Sequence, residues 1–319
     1  MGGWMPPGRD ALLRTEVLHE SARTRVTRLI FAGRSAIRKE PLGPDAQRRI
    51  EHELTMLERL RALPGIAQLL DAPTYPGSIV LEDSGASLAA LAKPLAVDEL
   101  VGLALQLARV VAGMHRRGVM HQDISPTNIV ISHDGMPCLV DFALASPLAE
   151  IRPEFTHHTE IVGTLAYLAP EQTGRTGRPV DERADLYAFG ATLYELATGQ
   201  PPFGSGDTLR LTHDHLARVP LPPAAANPAI PESLSAIIMH LLEKEPDNRY
   251  QTADGVAHDL ERLQDTLARP AAAGIHIGEH DFPLRLLPPS RLAGREDEAA
   301  ELETAFAEML VAQQETLAR

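Results

Sequence analysis

His121-Gln122-Asp123-Ile124-Ser125-Pro126-Thr127-Asn128 and, thirteen positions past the Asn, Asp141-Phe142-Ala143 decide the reading of this chain. The segment between them reads as two short apolar strands, Ile129-Val130-Ile131 and Cys138-Leu139-Val140, around Asp134-Gly135. Asp-Gly is a two-residue hairpin signal, because a type I′ turn needs positive φ at both central positions. Centred on that pair, the ribbon sets Asn128 opposite Asp141 at its open end, with Asp123 five residues upstream. An Asn beside an Asp suits Mg²⁺, which takes few protein oxygens and completes its shell with water and phosphate. A neighbouring Asp can accept or orient a hydroxyl proton. The pattern points to phosphoryl transfer.

Three further segments follow in order. They are Gly163-Thr164-Leu165-Ala166-Tyr167-Leu168-Ala169-Pro170-Glu171, Asp185-Leu186-Tyr187-Ala188-Phe189-Gly190, and Arg249 within Glu245-Pro246-Asp247-Asn248-Arg249. Together with the catalytic and metal loops they resemble the eukaryotic-like Ser/Thr protein kinases, over roughly Leu12 to Ala268. The resemblance implies an α+β, bilobal protein-kinase-like fold, with a small β-rich N-lobe and a larger, mainly helical C-lobe. The domain is expected over 11–268, with the N-lobe at about 11–81, a hinge at 82–85 and the C-lobe at 86–268. It also implies a buried helix starting at Asp185 that braces the catalytic loop, and an ion pair between Glu171 and Arg249.

Composition is compatible with that expectation. The chain has 319 residues, 44% of them hydrophobic, enough for two adjoining cores. A formal charge of −13 argues against a general nucleic-acid or membrane-surface binder. One cysteine, Cys138, rules out an internal disulfide framework and reads as a buried core thiol. The N-terminus lacks a signal-peptide pattern, and no apolar run approaches the ~18 residues of a membrane span. A cytoplasmic location is expected. The histidines, His157-His158 included, show no metal-ligand spacing; His121 is expected to pack in the C-lobe core.

Of the 30 basic residues, only Lys39, Lys93 and Lys244 are lysines. Lys39, in Ala36-Ile37-Arg38-Lys39, falls where the resemblance places the lysine that neutralises α- and β-phosphate oxygens. A helix from Asp45 to Leu63, with Ile50, Leu54, Leu57 and Leu60 at helical spacing, carries the matching Glu53. Glu51 lies elsewhere on that helix and is expected to be solvated. Three strands are expected from Thr15 to Ile37, then strands near Ala67–Asp71 and Ser78–Leu81. Helices are expected over Val97–Arg117, stopped by Gly118, and over Asp185–Thr198, Leu209–Ala217, Glu232–Glu243 and Ala253–Leu267. By resemblance, the Glu82 carbonyl and Ser84 amide read the adenine edge, and Leu18, Val26, Ile37, Leu81, Val130 and Val140 sandwich the ring. Asp141 and Asn128 would hold Mg²⁺, or Mn²⁺ in its place, on ATP, and Asp123 would serve the hydroxyl of a protein Ser or Thr.

The chain departs from the kinase pattern in four places. No Gly-rich loop exists; His19, Ser21 and Thr24 stand where its glycines belong. Gln122 replaces an arginine that reads an activation-loop phosphate, so Thr156 and Thr159, although plausible phosphosites, should activate little. Thr164 is expected to bond Asp123. Ser125 replaces a lysine aimed at the transferring phosphate, and such a loss commonly costs about 2.7–4 kcal/mol. Ala143 replaces the metal-loop glycine. One compensation is Arg23 or Arg25 reaching over the nucleotide. Three readings stand: an active Ser/Thr kinase, a nucleotide-binding pseudokinase that regulates or docks, and a small-molecule phosphotransferase. The protein-substrate segment at 163–171 argues against the last.

Residues 269–291 read as a linker with Pro270, Pro283, Pro288 and Pro289. Residues 292–319, beginning around Gly294-Arg295-Glu296-Asp297-Glu298, resemble the opening of a signal-transduction P-loop ATPase without its G-x-x-x-x-G-K-[ST] motif. The layout is similar to the N-terminus of large bacterial hybrid sensors, which join a Ser/Thr kinase, an ATPase module, a GAF domain and a sensor histidine kinase. The expected partners are therefore a protein substrate and downstream domains of the same polypeptide.

Overall fold

The computed structural model describes residues 12–70, 75–132, 134–148, 164–269 and 276–282. The chain divides into a compact unit over 1–282 and a second over 283–319, which lies outside the described residues. The expected ATPase-like segment, Thr156 and Thr159 therefore lie outside them too.

The N-lobe is a four-stranded antiparallel sheet in sequence order: β1 (Arg14–Glu20), β2 (Thr24–Phe31), β3 (Arg34–Pro41) and β4 (Ile79–Glu82). Cross-strand pairing puts buried Thr27, Leu29 and Ala36 on one face of the sheet and Val26, Ile37 and Lys39 on the other, the face from which Lys39 reaches Glu53. Helix α1 (Ala46–Arg59) crosses that face with Ile50, Glu53, Met56 and Leu57 buried. It ends earlier than the expected Leu63. Ala62 turns into the left-handed region (φ 61°), its amide donates to the Gln68 side chain at 2.8 Å, and Pro64 follows. Leu63 is thus turned away from helical geometry.

The expected strand near Ala67–Asp71 forms no continuous ladder. Its described part is extended and makes isolated bridges on two sides, Ile66 with Leu139 and Leu69 with Leu81. Backbone bonds run from Ala67 N to Leu139 O (3.0 Å) and from Leu70 N to Val80 O (2.8 Å). This short segment stitches the N-lobe sheet to the C-lobe.

The C-lobe is built on α2 (Val97–Arg116), whose apolar residues recur on almost every side and are buried accordingly. Gly118 stops it at φ 73°. Helix α3 (Glu182–Thr198) is buried from Arg183 to Ala197 and packs against α6 (Glu232–Leu241). At that crossing a Cβ on Gly190 would meet the Leu241 Cβ at 2.6 Å, so only glycine fits. The remaining helices are α4 (Thr208–Ala217), α5 (Pro223–Ala226) and α7 (Ala253–Ala268). Among the described residues no helix is long and apolar enough to cross a membrane.

Between the lobes lie the short strands β5 (Ala86–Ser87), β6 (Val119–Met120), β7 (Ile129–Ile131), β8 (Pro137–Leu139) and β9 (Ser146–Pro147). The β7–β8 hairpin differs from the expected register by one residue. Val130 faces Cys138, and the Asn128 carbonyl accepts from Val140 N at 2.9 Å, so Asn128 opposes Val140 rather than Asp141. The loop has three residues, not two. Ser132 accepts from Met136 N through its hydroxyl (3.1 Å), and Gly135 closes the turn at φ 79°.

The linker expected over 269–291 is not free along its whole length. Residues 276–282 fold back on the C-lobe, where Asp281 accepts from Gln251 N, from Thr252 N (2.9 Å) and from the Thr252 hydroxyl (2.7 Å). Gly278 N donates to Asp259 at 2.7 Å.

Candidate active site

The loop after α2 and β6 is fixed from below by one carboxylate. Asp185, fully buried on α3, accepts from His121 N (2.8 Å), Gln122 N (2.7 Å) and His115 Nε2 (2.9 Å). Burial alone would raise its pKa, but these donors and the two histidines hold it below the usual range. The anchored amides keep Gln122 in the left-handed region at φ 65°. The Gln122 side chain donates to the Ser146 hydroxyl, and the Gln122 backbone carbonyl accepts from Gln172 Nε2 at 2.9 Å. No arginine is needed to tie this loop to its neighbours. His121 is buried as expected, donating to Val140 O at 3.0 Å and lying edge-on to Phe142.

Asp123 is held at both oxygens. Oδ1 accepts from Thr164 N at 2.9 Å and Oδ2 from Asn128 Nδ2 at 2.8 Å. The bond between Thr164 and Asp123 that the sequence suggested is made by the Thr164 amide. Burial raises the Asp123 pKa, and Thr164 only partly offsets it. Since Asn128 spends its amide hydrogens on Asp123, its Oδ1 remains to face an ion.

Lys39, buried on β3, donates to Glu53 Oε1 at 2.8 Å and to Asp141 Oδ1 at 2.6 Å. Burial opposes its charge, yet the two carboxylates outweigh burial and raise its pKa. Glu53, not Glu51, faces the lysine; Glu51 is exposed and accepts from Gln47 at 2.7 Å. Asp141 is brought to Lys39 by its own left-handed backbone (φ 63°), a conformation Asp tolerates better than most residues. Burial would raise its pKa, but Lys39 outweighs that and holds it down. The Asp141 side chain is 45% exposed, so an oxygen faces the open cleft.

Two hard oxygens, from Asn128 and Asp141, are a donor set that fits Mg²⁺ or Mn²⁺ completed by phosphate and water. Among the described residues no cluster of three His, Cys, Asp or Glu offers an all-protein cage.

Around this centre, Ile37 faces Leu81 across β3–β4, while Val130 and Val140 are half-buried against the core. Val26 faces Lys39 from β2. Leu18 is 43% exposed at a bulge in β1. Glu82 N donates to Gln68 O at 3.0 Å. Sequence reasoning missed Arg28 here. From β2 it reaches Asp83 at 2.7 Å and the Gly85 carbonyl at 3.3 Å, clamping the hinge. No local signal points to a partner 55 positions away.

The lid over the cleft is a tight turn closed by the Ser21 hydroxyl, which accepts from Thr24 N at 3.1 Å. Arg25 lies on Glu20 at 2.6 Å rather than free over the cleft. Ser125 is buried, its hydroxyl bonded to Thr127 at 2.8 Å. Beyond the cleft, Arg249 pairs with Glu171 at 2.8 Å in full burial, as expected. Tyr167 bonds Glu195, which Lys93 also meets at 2.6 Å. These contacts brace the segment beside Asp123 as a platform.

Two lobes meeting at a Lys–Glu–Asp cluster, above an Asp held by Asn and Thr, define a protein-kinase type of structure. The model of the protein kinase domain family matches residues 20–260, and the chain belongs to that family. It is 32% identical over 201 residues to the serine/threonine-protein kinase PknB of Mycolicibacterium smegmatis, covering 63% of this chain and 32% of that one. To PknB of Mycobacterium tuberculosis it is 37% identical over 149 residues, 47% of this chain and 24% of the other. A probable serine/threonine-protein kinase of Clostridium perfringens is 31% identical over 223 residues, 68% and 32% of the two chains. The chain spans about a third of the length of these relatives or less.

Proposed function

We propose that this chain carries an ATP-dependent Ser/Thr protein kinase domain acting in bacterial signal transduction. The observation that carries the reading is Lys39 bonded to both Glu53 and Asp141, with Asp123 oriented by Asn128 and Thr164. When bound, Mg²⁺ would offset the negative charge that develops on phosphoryl transfer. Asn128 and Asp141 would hold it, and Lys39 would fix the α- and β-phosphates. The hinge residues Glu82 and Ser84 and the walls Leu18, Val26, Ile37, Leu81, Val130 and Val140 would take the adenine. Asp123 accepts the proton of the substrate hydroxyl as the nucleophile attacks; its pKa, raised by burial, makes it a better acceptor than an open aspartate.

The Ser21 lid and the cation-free loop at Ser125 favour a second reading, a nucleotide-binding pseudokinase acting as a docking module. The proposal extends to layout: a kinase domain at 11–268, then a linker to 291 and the opening of an ATPase-like domain at 292–319. In that layout the chain is a cytoplasmic module joined to further sensor domains.

Intact-mass measurement of phosphate incorporation into an acceptor protein, with thermal shift for nucleotide binding, separates the readings. Asp123→Ala should lower transfer by ~10²-fold or more while ATP binding persists. Binding without transfer in the unaltered protein would favour the pseudokinase, and neither would sink both readings.

A further inference from the structure

The lid turn is fastened from its outer side. The Arg23 carbonyl accepts from Leu42 N at 2.7 Å and from Arg49 Nη1 at 3.0 Å, and Arg49 Nη2 donates to Leu42 O at 2.6 Å. The β3–α1 connection runs tight against the turn: a Cβ on Gly43 would come 3.3 Å from Ala22 O. Arg49 stands four residues before Glu53 on α1, so one helical turn carries both side chains. Glu53 in turn holds Lys39, whose β3 position faces Val26 on β2, the strand that leaves the lid.

A glycine-rich lid moves through its own backbone. Here the Ser21 hydroxyl locks the turn internally, so the turn has to move as a piece. We propose that Arg49 is a positioning residue that makes the lid and α1 one body, setting the lid over the cleft when Glu53 holds Lys39. A rival account, an arginine that merely caps two surface carbonyls, predicts no link between the Lys39–Glu53 pair and the turn. The consequence for nucleotide rests on the kinase reading; the mechanical tie does not.

The test is amide exchange at residues 21–24 in nucleotide-free protein, compared among the unaltered chain, Lys39→Ala, Arg49→Ala and the double variant. Losing the charged bonds of Arg49 should speed exchange in the turn about tenfold. Lys39→Ala should loosen the turn when Arg49 is present and add nothing when it is absent. Arg49→Lys, with its single donor group, should retain part of the protection. Should Lys39→Ala fail to fold, Glu53→Gln releases the same pair while keeping the side chain's shape. Additive effects, or an unchanged turn in Arg49→Ala, would overturn the proposal. In a second arm, Mg-ATP added to the unaltered chain should slow exchange in both the turn and α1. If it slows neither, the nucleotide reading fails, while the nucleotide-free comparison still decides the tie.

Discussion

His215, on α4, shows how a single residue ties stability to pH. It is wholly buried, with Nδ1 2.9 Å from the Tyr187 hydroxyl and Phe203 edge-on at 4.9 Å. Burial first, and the Lys244 ammonium second, push its pKa from 6.5 down to about 4. The unfolded chain therefore takes up a proton near pH 6.5 that the folded chain refuses. The stability this site contributes is full above 6.5 and is lost as pH falls through about 4, up to about 3 kcal/mol in all. His215→Gln, which does not titrate, should flatten the fall in urea-unfolding stability between pH 6.5 and 4 relative to the unaltered protein. An equal fall in both proteins would refute this. Site residues were legible in the sequence where chemistry restricts the residue type: Lys39 meets Glu53 and Asp141, and Asn128 meets Asp123, although the hairpin register expected to set Asn128 opposite Asp141 is one residue off. Arg28 and Arg49 were not, because an arginine's reach across strands leaves no periodic trace.

At the scale of elements, the core helices and the three N-lobe strands followed from apolar periodicity, and their observed bounds agree within a few residues. The β7–β8 register did not follow, because Ser132 bonds its own turn and adds a loop residue that the Asp-Gly pair could not announce. The start of α7 carries a second contact of this kind. Three donors at residues 251–252 converge on Asp281, and a Cβ on Gly255 would lie 2.5 Å from that carboxylate. A carboxylate at a helix N-terminus also meets the helix dipole favourably. Asp281→Ala should lower unfolding stability by about 1.5–3 kcal/mol, the range for a charged hydrogen-bonded group. A loss below about 0.5 kcal/mol in urea titration would mean that the 276–282 segment is not an integral part of the C-lobe.

At the scale of the whole molecule, the two lobes share more than a hinge. The stretch from Gly65 to Leu70 bonds β8 on one side and β4 on the other, and Arg28 spans from β2 to the hinge. Lobes stitched in this way should unfold together. Hydrogen exchange across a urea series should give coincident midpoints for β1–β4 and for α2–α3, whereas midpoints well apart would show two independent units.

The bonds made by Gln122 carry a further consequence. Its side-chain amide meets a serine hydroxyl and its backbone carbonyl meets a glutamine amide, so no formal charge joins the Asp123 loop to Ser146 and Gln172. Mobile ions screen an arginine–phosphate contact at that place, but they leave neutral dipoles almost untouched. These two fastenings of the loop are therefore indifferent to ionic strength.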